Sequence, residues 1–357
     1  MTLQDHDTLI RTGAAIGAIA PRRQIAVAGK DRASYLHGLL TNDVQVLTPG
    51  SGCYAAWLTP QGRMLTDMYV LQSDEMILLD VPAETVDATV ARLDQFIFTE
   101  DVRVESLAET LSAVWVHGPR AAEVVGKASG AGEAGVGVDR AGGAGGVDGA
   151  GGAGGVDGAG AVGDLAGWSQ YQHARFMFGD APISIVRIDQ IGVPGYCLYL
   201  AREHEAALLA ALEAAGAVVV LPAAVEAARV EAGYPVFGID MTDDTIPLEA
   251  GIEDRAISMT KGCYVGQEVI VRVLHRGHGR VVRKLVGLRL EQADAVPLRG
   301  ARLLAGDREI GSITSAARSP RLGVIAMGYV HRDFVGVGTR AEVDTPAGRC
   351  AAVITRG

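Results

Sequence analysis

Apolar and polar positions alternate with two different periods in the first hundred residues, and the two periods follow one another irregularly. Short apolar runs typical of strands lie at 24–27, 53–58, 64–71 and 76–81. Helical spacing relates Ala33, Leu36, Leu39 and Leu40, and a second helix opens at Pro82 and carries Val86, Val90, Leu93 and Ile97. Strands that meet in hairpins, rather than alternating strictly with helices, predict an α+β fold.

A glycine-rich stretch from about 128 to 165 interrupts these patterns. It contains the same nine residues twice, at 141–149 and at 150–158. The spacing of glycine and aspartate departs from that of calcium-binding β-roll repeats, and two copies are too few to bury a core. We therefore expect a disordered insertion in a loop, with no catalytic role.

Periodic patterns return after residue 168 and change character after 281. Strands are predicted at 183–188 and 196–200, and helices at 203–215 and 223–232. A loop-rich segment follows. Beyond it, strands separated by glycine-bearing turns predict a small all-β module at 285–290, 308–316, 324–330, 340–343 and 350–354.

Composition narrows the functional class. The formal net charge of −10 argues against direct nucleic-acid binding, which usually requires a basic excess. The N-terminus lacks the pattern of a signal peptide, and no apolar run is long enough for a transmembrane helix, so we expect a cytoplasmic protein without membrane contact. The four cysteines are far apart in the chain, which disfavours a local zinc site.

One cysteine has neighbours that suggest reactivity. Residues 261–268 read Lys-Gly-Cys-Tyr-Val-Gly-Gln-Glu, which places Cys263 between glycines and close to Lys261. A nearby ammonium favours thiolate over thiol, although Lys261 could also be an ordinary solvated side chain. The other three cysteines are expected to be small core or surface residues. Cys263 is thus the candidate reactive thiol.

A basic run follows this octapeptide. Its arginines are either a solvated face or an anion-binding rim, and its two histidines are weak candidates for metal ligands. The run consists of Arg272, His275, Arg276, His278, Arg280, Arg283 and Lys284.

The octapeptide resembles the signature of the YgfZ-type folate-binding proteins, which are relatives of the glycine cleavage T-protein, an aminomethyltransferase. Other segments are similar to the wider superfamily and occur in the right order. They are 39–44, Tyr54, 62–67, 231–240 and 247–251.

The resemblance implies a ring of two α+β lobes and a small C-terminal β-barrel. Residues 1–222 would form the folate-binding lobes, 223–282 would complete the central site, and 283–357 would form the barrel. Tetrahydrofolate or a derivative would be the cofactor. The candidate folate-binding residues are Asn42, Tyr54, Asp67, Glu249 and Arg272, of which Tyr54 could instead be a core aromatic and Asp67 a turn carboxylate.

The resemblance also implies a role in assembling or repairing iron–sulfur clusters, including support of enzymes that modify tRNA. Cys263 would help to hold a [2Fe–2S] cluster shared with an A-type scaffold protein. Such a cluster generally needs four protein ligands, so a chain with one available thiol must share it.

Two departures argue against T-protein catalysis. The paired aspartates of that enzyme's turn read Thr66-Asp67 here, and the segment that supplies a pterin-binding glutamate reads Gly-Val-Pro-Gly-Tyr-Cys at 192–197. Three hypotheses remain: an accessory protein for iron–sulfur cluster assembly, a folate-dependent aminomethyltransferase, and a redox-sensing thiol protein. The sequence favours the first and makes an enzyme the less favoured prediction.

Overall fold

The structure is a computed structural model that describes residues 1–130, 164–275 and 280–357. Both copies of the glycine-rich repeat, at 141–149 and 150–158, lie outside the described residues. So do Arg276 and His278 of the basic run. The predictions made for these positions therefore stay predictions.

Two sheets form the lobes. In chain order their strands are β1 (Ala15–Ile16), β2 (Arg22–Ala28), β3 (Ser51–Leu58), β4 (Met64–Gln72), β5 (Met76–Pro82), β6 (Arg103–Ser106), β7 (Leu111–His117), β8 (His173–Phe178), β9 (Ala181–Arg187), β10 (Gly195–Ala201) and β11 (Val218–Val219). One sheet has the order β3-β4-β5-β2-β6, and the other has the order β11-β1-β7-β10-β9-β8. All neighbours are antiparallel except β1 and β11, which are parallel.

The helices of the described residues are short and lie mostly between strands. They are α1 (Leu3–Thr12), α2 (Arg32–Leu39), α3 (Val86–Gln95), α4 (Ala121–Ser129), α5 (Glu205–Ala214), α6 (Pro222–Ala232), α7 (Pro247–Ala250), α8 (Glu253–Ala256) and α9 (Gln267–His275). Pro82 does not open α3 directly, because a 3-10 turn at Ala83–Thr85 comes first.

Strand β3 shows how the first lobe is layered. Tyr54 and Ala56 pack into a core at the centre of the molecule, whereas Ala55 and Trp57 pack into a second core beneath α2 and α3. Successive side chains of a strand point to opposite faces. Both faces of this sheet are therefore covered, which explains the nearly continuous apolar run at 53–58.

The C-terminal segment forms a closed six-stranded barrel. Its strands are β12 (Arg283–Leu290), β13 (Arg302–Ala305), β14 (Arg308–Ser319), β15 (Gly323–His331), β16 (Arg340–Thr345) and β17 (Gly348–Arg356), and they close in the order β12-β15-β14-β13-β16-β17. Register shifts in three of the pairings bend the strands, which helps a small barrel to close. The predicted α+β fold with a small barrel is confirmed, although the four-residue strand β13 was missed.

A buried ionic network fixes the barrel to the second lobe. Arg229 of α6 is fully buried and donates to Asp240, Glu226 and Ser315, the last of which lies on β14. A buried guanidinium is tolerated only when its charge and hydrogen bonds are matched, and these partners match them. The network consequently ties α6 and the following Asp240 to strand β14 of the barrel.

Candidate functional site

Cys263 is exposed and lies in a tightly constrained turn. Gly266, three residues later, has a φ of +84°, and a Cβ there would come within 2.5 Å of the carbonyl oxygen of Thr59. Gly62, in the turn between β3 and β4, lies against Val269 of α9, and a Cβ at Gly62 would likewise come too close to that side chain. The two glycines let the octapeptide lie directly on the β3–β4 hairpin. Contrary to the loop prediction, its last two residues already belong to α9.

Lys261 holds the same turn from the other side. Its ammonium group donates to the backbone carbonyls of His37, Leu40 and Asn42, and its side chain is largely buried. An ammonium has three N–H donors, so none is left for a thiolate. Burial lowers the pKa of Lys261 to about 8. Lys261 remains a predicted site residue, but these contacts give it an anchoring role rather than the predicted thiol-activating one.

The other three cysteines are placed differently. Cys197 is fully buried, and burial raises the pKa of both its thiol and that of Cys53, the latter to about 12. The Cys350 thiol donates to the carbonyl of Glu291 on the barrel, and burial raises its pKa too. Cys263 is therefore the exposed thiol among the described residues.

Tyr54 and Asp67 meet in a buried polar network, away from Cys263 on the exposed turn. The Tyr54 hydroxyl donates to Oδ2 of Asp67 at 2.7 Å, and Arg22 Nη1 donates to Oδ1 of Asp67 at 2.9 Å. Arg22 also pairs with Asp80, which accepts further hydrogen bonds from Gln24 and Tyr199. Burial, with Asp67 nearby, raises the pKa of Tyr54 well above its ordinary value, so this phenol stays protonated.

This network borders the central cavity, a small space between the two lobes. Arg22, Asp67, Tyr69, Gln190 and Tyr234 supply polar groups to its lining, and Trp115 supplies an aromatic face. The cavity measures about 20 Å³, which is room for about one water molecule. Binding of a planar heterocycle there requires aromatic side chains to move outward.

The remaining predicted residues do not reach this cavity. Asn42 donates its amide N–H groups to the carbonyls of Tyr54 and Arg255, so it ties α8 to β3. Glu249 accepts from Arg283 at 3.1 Å and links α7 to the first barrel strand. Arg272 is exposed on α9. The five predicted folate residues thus do not form one site; Tyr54 and Asp67 do lie together.

Several residues of the central cavity escaped the sequence reasoning. Arg22 lines the cavity and pairs with Asp80, and a charged residue within an apolar strand is the signal that could have marked either one. Tyr69 and Gln190 carried no signal, since their positions depend on how β4 and the β9–β10 loop meet: Gln190 Nε2 donates to the Tyr69 hydroxyl at 2.6 Å. The Tyr69 and Tyr234 hydroxyls are 2.8 Å apart.

The described part of the chain contains neither a metal-ligand group nor a membrane-spanning helix. No group of three or more histidine, cysteine, aspartate or glutamate side chains is arranged there to hold a metal ion. None of the helices at 1–130, 164–275 and 280–357 is both long and apolar enough to cross a membrane.

Comparison with known proteins agrees with this architecture. The family model described as the GCVT N-terminal domain matches residues 2–134 and 163–261, and the glycine cleavage T-protein C-terminal barrel domain matches residues 283–357. Together they cover both lobes and the barrel. The chain therefore belongs to the glycine cleavage T-protein family.

The relatives of this chain are distant but extend over most of its length. An aminomethyltransferase of Bacillus velezensis is 26% identical over 99% of this chain and 89% of its own. A putative chloroplastic transferase of Arabidopsis thaliana is 24% identical over 90% of this chain and 66% of its own. The crystal structure of aminomethyltransferase T from Bartonella henselae has a TM-score of 0.79 at 23% identity, covers 99% of this chain and 88% of its own, and establishes the shared fold.

Proposed function

We propose that this protein binds a reduced folate and supports the assembly or repair of iron–sulfur clusters, with Cys263 as its contribution to a cluster shared with a partner protein. The observation that carries the proposal is the placement of Cys263. It is the exposed thiol of the described chain, it lies on a turn fixed by Gly266 and Lys261, and the central cavity is lined by other residues.

The surroundings of Cys263 suit a shared cluster better than a resident one. No group of three such ligands exists among the described residues, so these residues do not supply the four-ligand set that a cluster generally needs. An exposed thiolate on a rigid turn can supply one ligand while a second protein supplies the others. The [2Fe–2S] cluster is then cargo of the complex, and Cys263 orients it toward the partner.

A groove beside the octapeptide offers a surface for that partner. It has a volume of about 310 Å³ and is bordered by Tyr264, Gln267 and the apolar face of α9, together with Ile257 and Met259. Met259 and Val271 are 60% and 40% exposed, respectively, and both border this groove, so a partner that covers it would bury apolar surface. An A-type scaffold protein that inserts an apolar side chain here would place its own cysteines next to Cys263.

The folate would occupy the central cavity after the aromatic side chains around it make room. Asp67 would then face the heterocycle, since it lines the cavity and is already held by Tyr54 and Arg22. A fixed carboxylate accepts paired hydrogen bonds from the donor edge of a pterin. Asp67 thereby supports folate binding although no carboxylate is present at 192–197.

The test replaces Cys263 by serine and uses Cys350→Ser, on the barrel, as the matched control. Purified protein is mixed with a cluster-loaded A-type scaffold, and iron, sulfide and the visible absorption of the isolated complex are measured. Cys263→Ser should abolish the cluster-bearing complex and lower the activity of cluster-dependent enzymes in cells, whereas Cys350→Ser should do neither. Full activity of those enzymes in the Cys263→Ser strain would refute the proposal.

A second candidate function is folate-dependent aminomethyl transfer, favoured by Asp67. This carboxylate lines the central cavity, where an aminomethyl substrate bound in the cavity would come within its reach. Relatives that align over nearly the whole chain are also named aminomethyltransferases. Consumption of an aminomethyl donor with tetrahydrofolate, abolished by Asp67→Asn and retained by Cys263→Ser, would establish this function instead.

A further inference from the structure

Arg255 of α8 is surrounded by aromatic rings. Its guanidinium carbon lies 4.5 Å from the centre of the Tyr54 ring and 4.1 Å from that of Tyr234. Tyr69 packs against Tyr54 at 5.6 Å between ring centres and against Tyr171 at 5.9 Å. We call Tyr54, Tyr69, Tyr171 and Tyr234 the tyrosine cage. Two of its members, Tyr69 and Tyr234, also line the central cavity.

The cage leaves the charge of Arg255 without an acidic partner. Within the described residues, no carboxylate lies within 4.0 Å of its guanidinium, and Nη2 is buried without a hydrogen-bond acceptor. Two other arginines in the interior differ: Arg22 pairs with Asp67 and Asp80, and Arg229 pairs with Asp240. Arg255 is half-buried, and charges withdrawn from water are normally paired, so among the described residues this site lacks an anion.

Ring faces cannot replace that anion. They attract the guanidinium from above and below, whereas its N–H groups lie in its own plane and need acceptors at its edge. Burial by itself would lower the pKa of Arg255, but the phenol groups around it raise the pKa above its ordinary value, so the cation persists. The matching ligand group is a carboxylate, whose two oxygens fit the guanidinium fork.

Gln190, which lines the central cavity, has a complementary unmet group, whereas Arg255 contacts the lining through Tyr234. Its Nε2 donates to the Tyr69 hydroxyl, while its buried Oε1 has no donor in the described structure. Near the hydroxyls of Tyr69 and Tyr234, Arg255 therefore has an N–H group without an acceptor, and Gln190 has an oxygen without a donor. A ligand that satisfies both carries a carboxylate and an N–H group.

We propose that Arg255 binds the carboxylate of the central-cavity ligand, with the aromatic part of that ligand against the tyrosine cage. The inference rests on the proposed function in one respect, namely that the ligand is a reduced folate, which carries both an aromatic acyl-glutamate and N–H donors. Arg255 is then the residue that selects for the acidic end of the molecule.

The test compares three probes on the intact protein by calorimetry: tetrahydrofolate, 6-methyltetrahydropterin, which has no carboxylate, and benzoate. Arg255→Met removes the fork and keeps an apolar chain, Arg255→Lys keeps charge without the fork, and Arg302→Met on the barrel is the control. Arg255→Met should weaken tetrahydrofolate and benzoate binding about 10- to 100-fold and leave methyltetrahydropterin unchanged. Arg255→Lys should fall between, and Arg302→Met should match the wild type.

Ligand-free stability separates this role from a structural one. Because Arg255→Met removes an unpaired buried cation, it should raise the unfolding midpoint without ligand. A lower midpoint together with equal losses for the tetrahydrofolate and methyltetrahydropterin probes would overturn the inference, as would unchanged tetrahydrofolate and benzoate binding. Benzoate binding that depends on Arg255 without any tetrahydrofolate binding would support Arg255 as the carboxylate site and refute the folate function.

Discussion

Replacement of Gly266 by alanine tests whether the Cys263 turn depends on its contact with the β3–β4 hairpin. The φ of +84° costs an alanine about 1–2 kcal/mol relative to glycine. In addition, the new Cβ would lie 2.5 Å from the carbonyl oxygen of Thr59 and 3.0 Å from Cβ of Leu58. Leu58 is the buried last residue of β3, and Thr59 is held in the following turn by its backbone hydrogen bond to Arg63. Together these effects should destabilise the protein by roughly 2–4 kcal/mol.

Two neighbouring glycines separate the contributions. Gly251 has a φ of +67° and open space around it, so Gly251→Ala carries the backbone cost alone, about 1 kcal/mol after the loss of unfolded-state freedom. Gly262 lies outside the left-handed region, and its Cβ would meet only His37 at 3.9 Å. Gly262→Ala should therefore change the free energy of unfolding by no more than about 0.5 kcal/mol.

Urea unfolding followed by tryptophan fluorescence gives the three free energies, and the rate at which a thiol reagent labels Cys263 reports the local geometry. Gly266→Ala should be the least stable and the only one with a changed labelling rate. Equal losses in Gly266→Ala and Gly251→Ala would show that the contact with Thr59 does not fix the turn, and the structural basis for Cys263 as a preoriented ligand would fail.

Three other predictions concern buried polar groups. Asp67→Asn leaves the buried Arg22 with one fewer carboxylate, so the free energy of unfolding in urea should fall by about 3–5 kcal/mol. Tyr54→Phe removes one hydrogen bond and should lower it by about 1–3 kcal/mol. The reverse order of the two losses would refute the polar network around Asp67. Lys261→Met leaves three backbone carbonyls without their donor and releases the Cys263 turn, so unfolding should become easier and Cys263 labelling should change as it does in Gly266→Ala. Unchanged stability and labelling in Lys261→Met would contradict the anchoring role. Burial lowers the pKa of His117 to about 4, so between pH 6.5 and 4 the unfolded chain binds a proton that the folded chain does not. The free energy of unfolding should therefore fall by up to about 3 kcal/mol as the pH drops through this range. His117→Phe keeps the stacking on Trp115 and should flatten that part of the stability–pH curve, whereas an unchanged slope would show that His117 does not cause it.

The sequence predicted the fold class well because each lobe obeys local rules. Hairpins with a turn at 61–62 and apolar runs at 53–58 and 64–71 needed no distant partner to be recognised. The short strand β13 was missed because four residues give too little periodicity, and its pairing with β14 and β16 supplies what the pattern lacks. Where a 3-10 turn precedes a helix, the observed helix begins a few residues after the predicted start.

The candidate site was predictable only in part. A motif of eight contiguous residues marks Cys263, because all of its constraints are local. The central cavity instead depends on long-range packing, which brings Tyr69, Gln190, Tyr234 and Arg255 together from four separate segments. Nothing in the spacing of these residues reveals that Arg255 would have tyrosines, rather than a carboxylate, as its neighbours.

The segment between Gly130 and Asp164 begins and ends on the same core. Helix α4 precedes it, and Leu165, directly after it, packs with Val124 and Val125 of that helix while its carbonyl accepts from Tyr196. Because the anchoring residues are fixed independently of what joins them, the chain tolerates variation in length at this point. For a flexible loop of the kind that the sequence predicts, shortening the 33 intervening residues fourfold would change the closure free energy by only about 1 kcal/mol. This junction is consequently a natural place for a fluorescent or affinity domain that would report on partner binding without disturbing Cys263.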